Sequence, residues 1–166
     1  MKKYFFATIG LLSMSIGLCA AAIPQNKENV DSMSEINKLR NNLKLLLCRQ
    51  YSALAGDTST LLRQLLPDGS IAGMNYHQEN VRGSAWAPAK HLSAMQQLAP
   101  SHPEVAARML DFWLRTDATS KNWWWPQIGI PDAVCRTMLM LDRKAEKTDR
   151  QLEAILNRSQ IKYTGQ

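Results

Sequence analysis

The segment Lys121-Asn122-Trp123-Trp124-Trp125-Pro126-Gln127-Ile128-Gly129-Ile130-Pro131 holds the residues best suited to binding chemistry. Three adjacent indoles cannot all be buried. On a helix they project about 100° apart and on a strand they alternate faces, so at least one must meet solvent, a cleft or a partner. A flat apolar indole face stacks on a pyranose ring, while polar neighbours such as Asn122 and Gln127 bond the hydroxyls. Exposed aromatic platforms usually bind something. The plainer alternative wedges two rings between helices and leaves the third on the surface. Tyr76 with His77, or His91, supply the residue types of an acid and a base, although His91 beside Leu92 on a predicted helix suits a packed, hydrogen-bonded histidine. His77, His91 and His102 stand 14 and 11 residues apart on different predicted elements. No His or Cys cluster has metal-ligand spacing, so neither a metal nor a cofactor is expected.

The elements that must position these residues read as helices. From Ile36 the apolar residues Ile36, Leu39, Leu43, Leu46, Leu47, Tyr51 and Leu54 recur at three-and-four spacing, which predicts one inward face, with Ser32 and Glu35 as a capping box. A second helix is predicted from near Pro88, with Leu92, Met95 and Leu98 inward. A third follows Ser101, with Pro103 in its first turn and a stripe of Val105, Met109, Leu110, Trp113 and Leu114. Pro131 opens a fourth that buries Val134, Met138 and Leu141; Thr148 with Gln151 caps a fifth that buries Leu152, Ile155 and Leu156; 58–66 is a weaker short helix. No run alternates as a half-buried strand does. The predicted class is all-α, built of antiparallel hairpins joined by short turns. The long non-helical stretch 67–87, with Gly69, Gly73 and Gly83, is of a length that loops in compact domains usually have for a function.

Composition narrows the function classes. Apolar residues make up 45% and charged residues 20% of the 166, which excludes a disordered or collagenous chain. Residues 1–22 have the layout of an export signal: Lys2 and Lys3, an uncharged stretch 5–18, then Ala20, Ala21 and Ala22. The mature chain, 23–166, is one modest domain expected in a secreted or periplasmic setting. No later segment is long and apolar enough for a membrane span. The net charge of +6 falls to +4 when Lys2 and Lys3 leave, 18 basic against 14 acidic residues. The charges are interspersed from Lys27 to Lys162, without the clustered stripe of a nucleic-acid binder, while an anionic partner stays open. Cys19 is a lipidation alternative to cleavage. Cys48 and Cys135 read as two buried thiols, with a disulfide as the alternative in an oxidising compartment.

Asn122-Trp123-Trp124 followed by Ile128-Gly129-Ile130-Pro131 resembles the N-W-W-x-x-x-I-G-x-P signature of polysaccharide lyase family eight, the hyaluronate, chondroitin AC and xanthan lyases. Upstream, Asp68-Gly69-Ser70, Asn75-Tyr76, Arg82, Trp86, Pro88 and His91-Leu92 look like that family's D-G-S, D-Y, R, W, P and H-L positions in order. The resemblance covers 65–166; Ile71, Gly73, Asn75 and Trp125 depart from the pattern. It implies an incomplete α/α toroid that holds an anionic polysaccharide, with Asn122, Trp123 and Trp124 as the substrate-binding patch. The implied reaction is β-elimination, in which an amide neutralises the uronate carboxylate and a Tyr and His pair moves the proton.

In the family the neutralising Asn follows a T-G-x stretch, and here the sequence ends at Thr164-Gly165-Gln166. The resemblance therefore implies an N-terminal fragment of a secreted lyase, inactive alone, whose catalytic Asn, His, Tyr and Arg and whose C-terminal domains lie beyond it. The alternative is a stand-alone carbohydrate-binding helical module. A third reading is a secreted helical protein-interaction domain unrelated to sugars.

Overall fold

The computed structural model describes residues 27–78, 85–143 and 149–159. The signal stretch 1–22, Arg82, Gly83, the cap residue Thr148 and the closing 164–166 lie outside the described residues. Six α-helices account for most of what is described: α1 (Lys27–Ala55), α2 (Ser59–Gln64), α3 (Ala89–Leu98), α4 (Pro103–Thr116), α5 (Ile130–Met140) and α6 (Asp149–Arg158). A π-helical turn, Trp125–Gly129, runs directly into α5. Among the described residues there is no β-strand, only one isolated bridge between Leu65 and Ile71.

α3 is the centre of the bundle. It forms a hairpin with α4 and also packs against α5 and α1; α1 lies along α5 as well, and α6 closes on α4, α5 and the π turn. The predicted inward residues explain this. Leu92, Met95 and Leu98 of α3, Met109, Leu110, Trp113 and Leu114 of α4, Val134 and Met138 of α5, and Leu152 and Ile155 of α6 are all buried in one cluster. Leu141 and Val105 pack at its edge, and Leu156 is exposed.

Two aspartates with left-handed backbone end helices and bind neighbours. Asp117 (φ 47°) terminates α4 with its N–H on the Trp113 carbonyl at 2.9 Å. Both of its carboxylate oxygens accept from the guanidinium of Arg158 in α6. Asp142 (φ 56°), just beyond α5, accepts from Arg40 at 2.8 Å and Lys44 at 3.2 Å, both on α1. Asp tolerates this backbone region better than most residues, so one side chain both stops a helix and clamps another.

α1 differs from expectation. It begins at Lys27, so Ser32 and Glu35 lie inside the helix and do not cap it. Of its predicted apolar face, Leu47 is buried and Tyr51 packs against the core, whereas Ile36, Leu39, Leu43, Leu46 and Leu54 are exposed. Periodicity fixes that a helix has an apolar stripe; it does not fix that something covers it. The cysteines also differ. Cys48 and Cys135 are free thiols, the first half-buried and the second exposed, because Cys135 turns outward while Val134 and Met138 of the same helix turn in.

The loop after α2 is held tightly. Asp68 Oδ1 accepts from the Ser70 N–H at 2.9 Å and from its hydroxyl at 2.7 Å. These two bonds hold the Asp68 carboxyl below its ordinary pKa. Gly69 has φ 94°, and a Cβ there would collide with the Arg108 carbonyl of α4, so glycine lets this loop lie on α4.

Candidate functional site

The tryptophan segment is built around a helix start. The Asn122 N–H donates to Ser120 Oγ at 3.1 Å, and Asn122 Oδ1 accepts from the Trp124 N–H at 3.1 Å. The Asn122 carbonyl takes the Trp125 N–H, and the Trp123 carbonyl takes the Gln127 N–H, each at 3.1 Å. Asn122 thus serves as the cap that turns the chain into the helix. The Ile130 N–H then reaches back five residues to the Trp125 carbonyl. Pro131 has no N–H, and its ring would crowd the carbonyl four residues earlier in an ordinary α turn. The wider π turn accommodates it; such turns are frequent at functional sites.

The three indoles separate in the order that one helical turn dictates. Trp123 is 61% exposed, Trp124 is 41% exposed, and Trp125 is half-buried. Trp125 packs on Trp86 with ring centroids 5.1 Å apart, and Trp86 sits edge-on to the fully buried Trp113 at 5.9 Å. Trp124 stands edge-on to Trp125 at 4.8 Å. A ladder of four indoles therefore leads from the core to the surface, with Trp124 as its outer rung. Gly129 makes this possible: a Cβ there would lie 2.5 Å from the Trp124 ring and 2.7 Å from the Trp125 ring.

Trp124 walls a groove of about 200 Å³ between the π turn and α3, which Ser93, Gln96 and Asp132 also line. Gln96 is 8% exposed, and its side chain lines this groove. The Asp132 carboxylate is matched by Arg136 at 2.7 Å. Ser93 also lines a neighbouring hollow of about 220 Å³. That hollow shares Gln64, Ile71, Met74 and Lys90 with a third, of about 410 Å³, which reaches Asn75. The outward face of α3, with Lys90, Ser93 and Gln97, thus runs between the tryptophan segment and the loop after α2. Lys90 and Ser93 escape notice when α3 is read for its apolar stripe; their i, i+3 spacing opposite Leu92 and Met95 was the available signal.

Of the acid and base types indicated by the sequence, only His77 is at the surface. Tyr76 and His91 are both buried. The His91 Nε2–H donates to the Met109 carbonyl at 3.0 Å, which leaves Nδ1 to accept the Tyr76 hydroxyl proton at 2.8 Å. The same Tyr76 oxygen accepts the Ile71 N–H at 2.9 Å. Burial, opposed in part by the Met109 bond, depresses the His91 pKa to about 4. His77 is exposed on the loop. Among the described residues no group of three or more His, Cys, Asp or Glu could hold a metal ion, and no helix is long and apolar enough to cross a membrane.

Comparison with protein-family models, with curated proteins and with solved structures returned no match to this chain.

Proposed function

We propose that Trp123 and Trp124 form a platform for the sugar rings of a uronic-acid polysaccharide, in keeping with the resemblance to the family-eight lyases. The observation that carries the reading is the exposure of both indoles, with Trp124 walling a groove that the polar side chains of Ser93 and Gln96 also line. An indole face takes the apolar side of a pyranose, and a primary amide both donates to and accepts from hydroxyls. Lys90 along α3 supplies positive charge for an anionic polymer.

On the same resemblance, the bundle belongs to an incomplete α/α toroid of a secreted or periplasmic polysaccharide lyase that cleaves hyaluronan, chondroitin or xanthan-type glycans by β-elimination. The buried and mutually bonded Tyr76 and His91 favour a binding role, not bond breaking, for the residues described here. That pair is also what favours the second reading, a helical module that binds glycans without cleaving them.

Titration of tryptophan fluorescence with chondroitin and hyaluronan oligosaccharides tests the platform. Quenching is expected, and Trp124→Ala should weaken binding at least tenfold, about 1.4 kcal/mol. Unchanged emission with every anionic glycan tried would sink the reading. The two versions separate by ultraviolet absorbance: the binding module produces no unsaturated uronate, alone or joined to further domains of a lyase.

A further inference from the structure

We infer that the outer face of α1 pairs with the same face of a second copy of this chain, as an antiparallel two-helix contact. Ile36, Leu39, Leu43 and Leu46 are between 44% and 68% exposed and follow one another at intervals of three, four and three residues. Four contiguous large apolar side chains on one helix face are more than scattered surface residues. The opposite flank of the helix is already occupied: Leu47 and Tyr51 pack on the core, and Arg40 and Lys44 hold Asp142.

The spacing lets a second copy cover the face, and the charges beside it argue for that copy over an unrelated partner. Three, four, three reads the same in both directions, so on reversal the helix presents an identical ladder. Ile36 then meets Leu46 of the second copy and Leu39 meets Leu43, each pair occurring twice about a two-fold axis, as an isologous contact requires. Charge agrees. Along the stripe's open flank lie Glu35, Asn42 and Arg49, all exposed and seven residues apart. In an antiparallel pair this flank faces its own copy, which sets Glu35 near Arg49 at both ends and Asn42 against Asn42 at the centre. In a parallel pair this flank would instead face the opposite flank of the second copy, where Arg40 already holds Asp142, so the charge match belongs to the antiparallel direction.

The test is sedimentation of the full chain across a concentration series, with circular dichroism confirming that each variant keeps its helix content. The wild type should approach twice the monomer mass, and the double variant Leu39→Glu, Leu43→Glu should sediment as a monomer. Glu35→Arg alone and Arg49→Glu alone should each weaken association about tenfold, and the two together should restore it, since the swapped charges again meet their opposites. A wild type that stays monomeric at every concentration overturns the proposal, as does association that survives both glutamates. Failure of the paired swap to restore what the single changes lose overturns the antiparallel register. Binding to anionic vesicles by a monomeric wild type would assign the face to a lipid surface instead and also overturn it.

Discussion

Gly129 shows how one missing side chain shapes the candidate site. With the Trp124 and Trp125 rings both lying over its Cα, any Cβ must push at least one aside, and a ring plane has no flexible tip to yield. Gly129→Ala is therefore expected to cost about 1–3 kcal/mol, the usual range for overpacking, and to shift the tryptophan emission maximum; an unchanged melt and spectrum would contradict the packing described. The residue scale is also where the sequence was most informative about the site. The unusual run of indoles pointed to exposed aromatic surface, and two rings are exposed. Asn122 is different: its type suggested sugar contacts, while its Oδ1 serves the backbone of Trp124. A side chain that caps a helix and one that binds a ligand look alike until the backbone around them is known. Gln96 was invisible for a related reason, because on a helix read by its apolar periodicity a single glutamine passes for surface.

At the scale of elements, Tyr76 and His91 fasten three pieces of chain: the loop at Ile71, helix α3, and helix α4 through the Met109 carbonyl. Tyr76→Phe leaves the Ile71 N–H and His91 Nδ1 without partners and is expected to cost roughly 1–3 kcal/mol. The histidine makes stability pH-dependent in a defined window. Its pKa is about 4 when folded against 6.5 when free, so between those values the unfolded chain binds more protons and acidification favours unfolding. Stability contributed by the neutral ring is complete above pH 6.5 and lost as pH falls through 4, by roughly 3 kcal/mol in all. Urea melts from pH 7 to 4 should show this slope, and His91→Gln should flatten it. Helix positions were largely legible here. Pro103 starts α4 and its stripe is buried as its spacing requires. Pro131 likewise lies in the first turn of α5, which starts at Ile130 as expected. What its position did not reveal is the π turn Trp125–Gly129 that leads into that helix.

For the molecule as a whole, the all-helical class followed from the absence of alternating runs and from five well-spaced apolar patterns. What the sequence did not disclose is which stripes meet. The face of α1 from Ile36 to Leu46 has the same periodicity as the buried stripe of α4, and periodicity is a property of one helix whereas burial belongs to a pair. Two surfaces of different chemistry result, and ionic strength should tell them apart. Binding of an anionic glycan at the Trp124 groove is expected to weaken steeply as added salt screens the basic excess, whereas pairing through α1 loses only what its Glu35 and Arg49 contacts contribute and keeps its apolar part. Parallel titrations in low and high salt, one read by emission and one by sedimentation, check this; pairing that is abolished by salt as fully as glycan binding would contradict an apolar seam on α1.

The indole ladder from Trp113 through Trp86 and Trp125 to Trp124 also has an optical consequence. Chromophores with centroids 4.8 to 5.9 Å apart exchange excitation far faster than they emit. Light absorbed deep in the protein therefore migrates along the ladder, and a contact at its outermost member is felt by the ensemble. The chain carries its own antenna: four of its five tryptophans act as one collective reporter on whatever settles at the surface end.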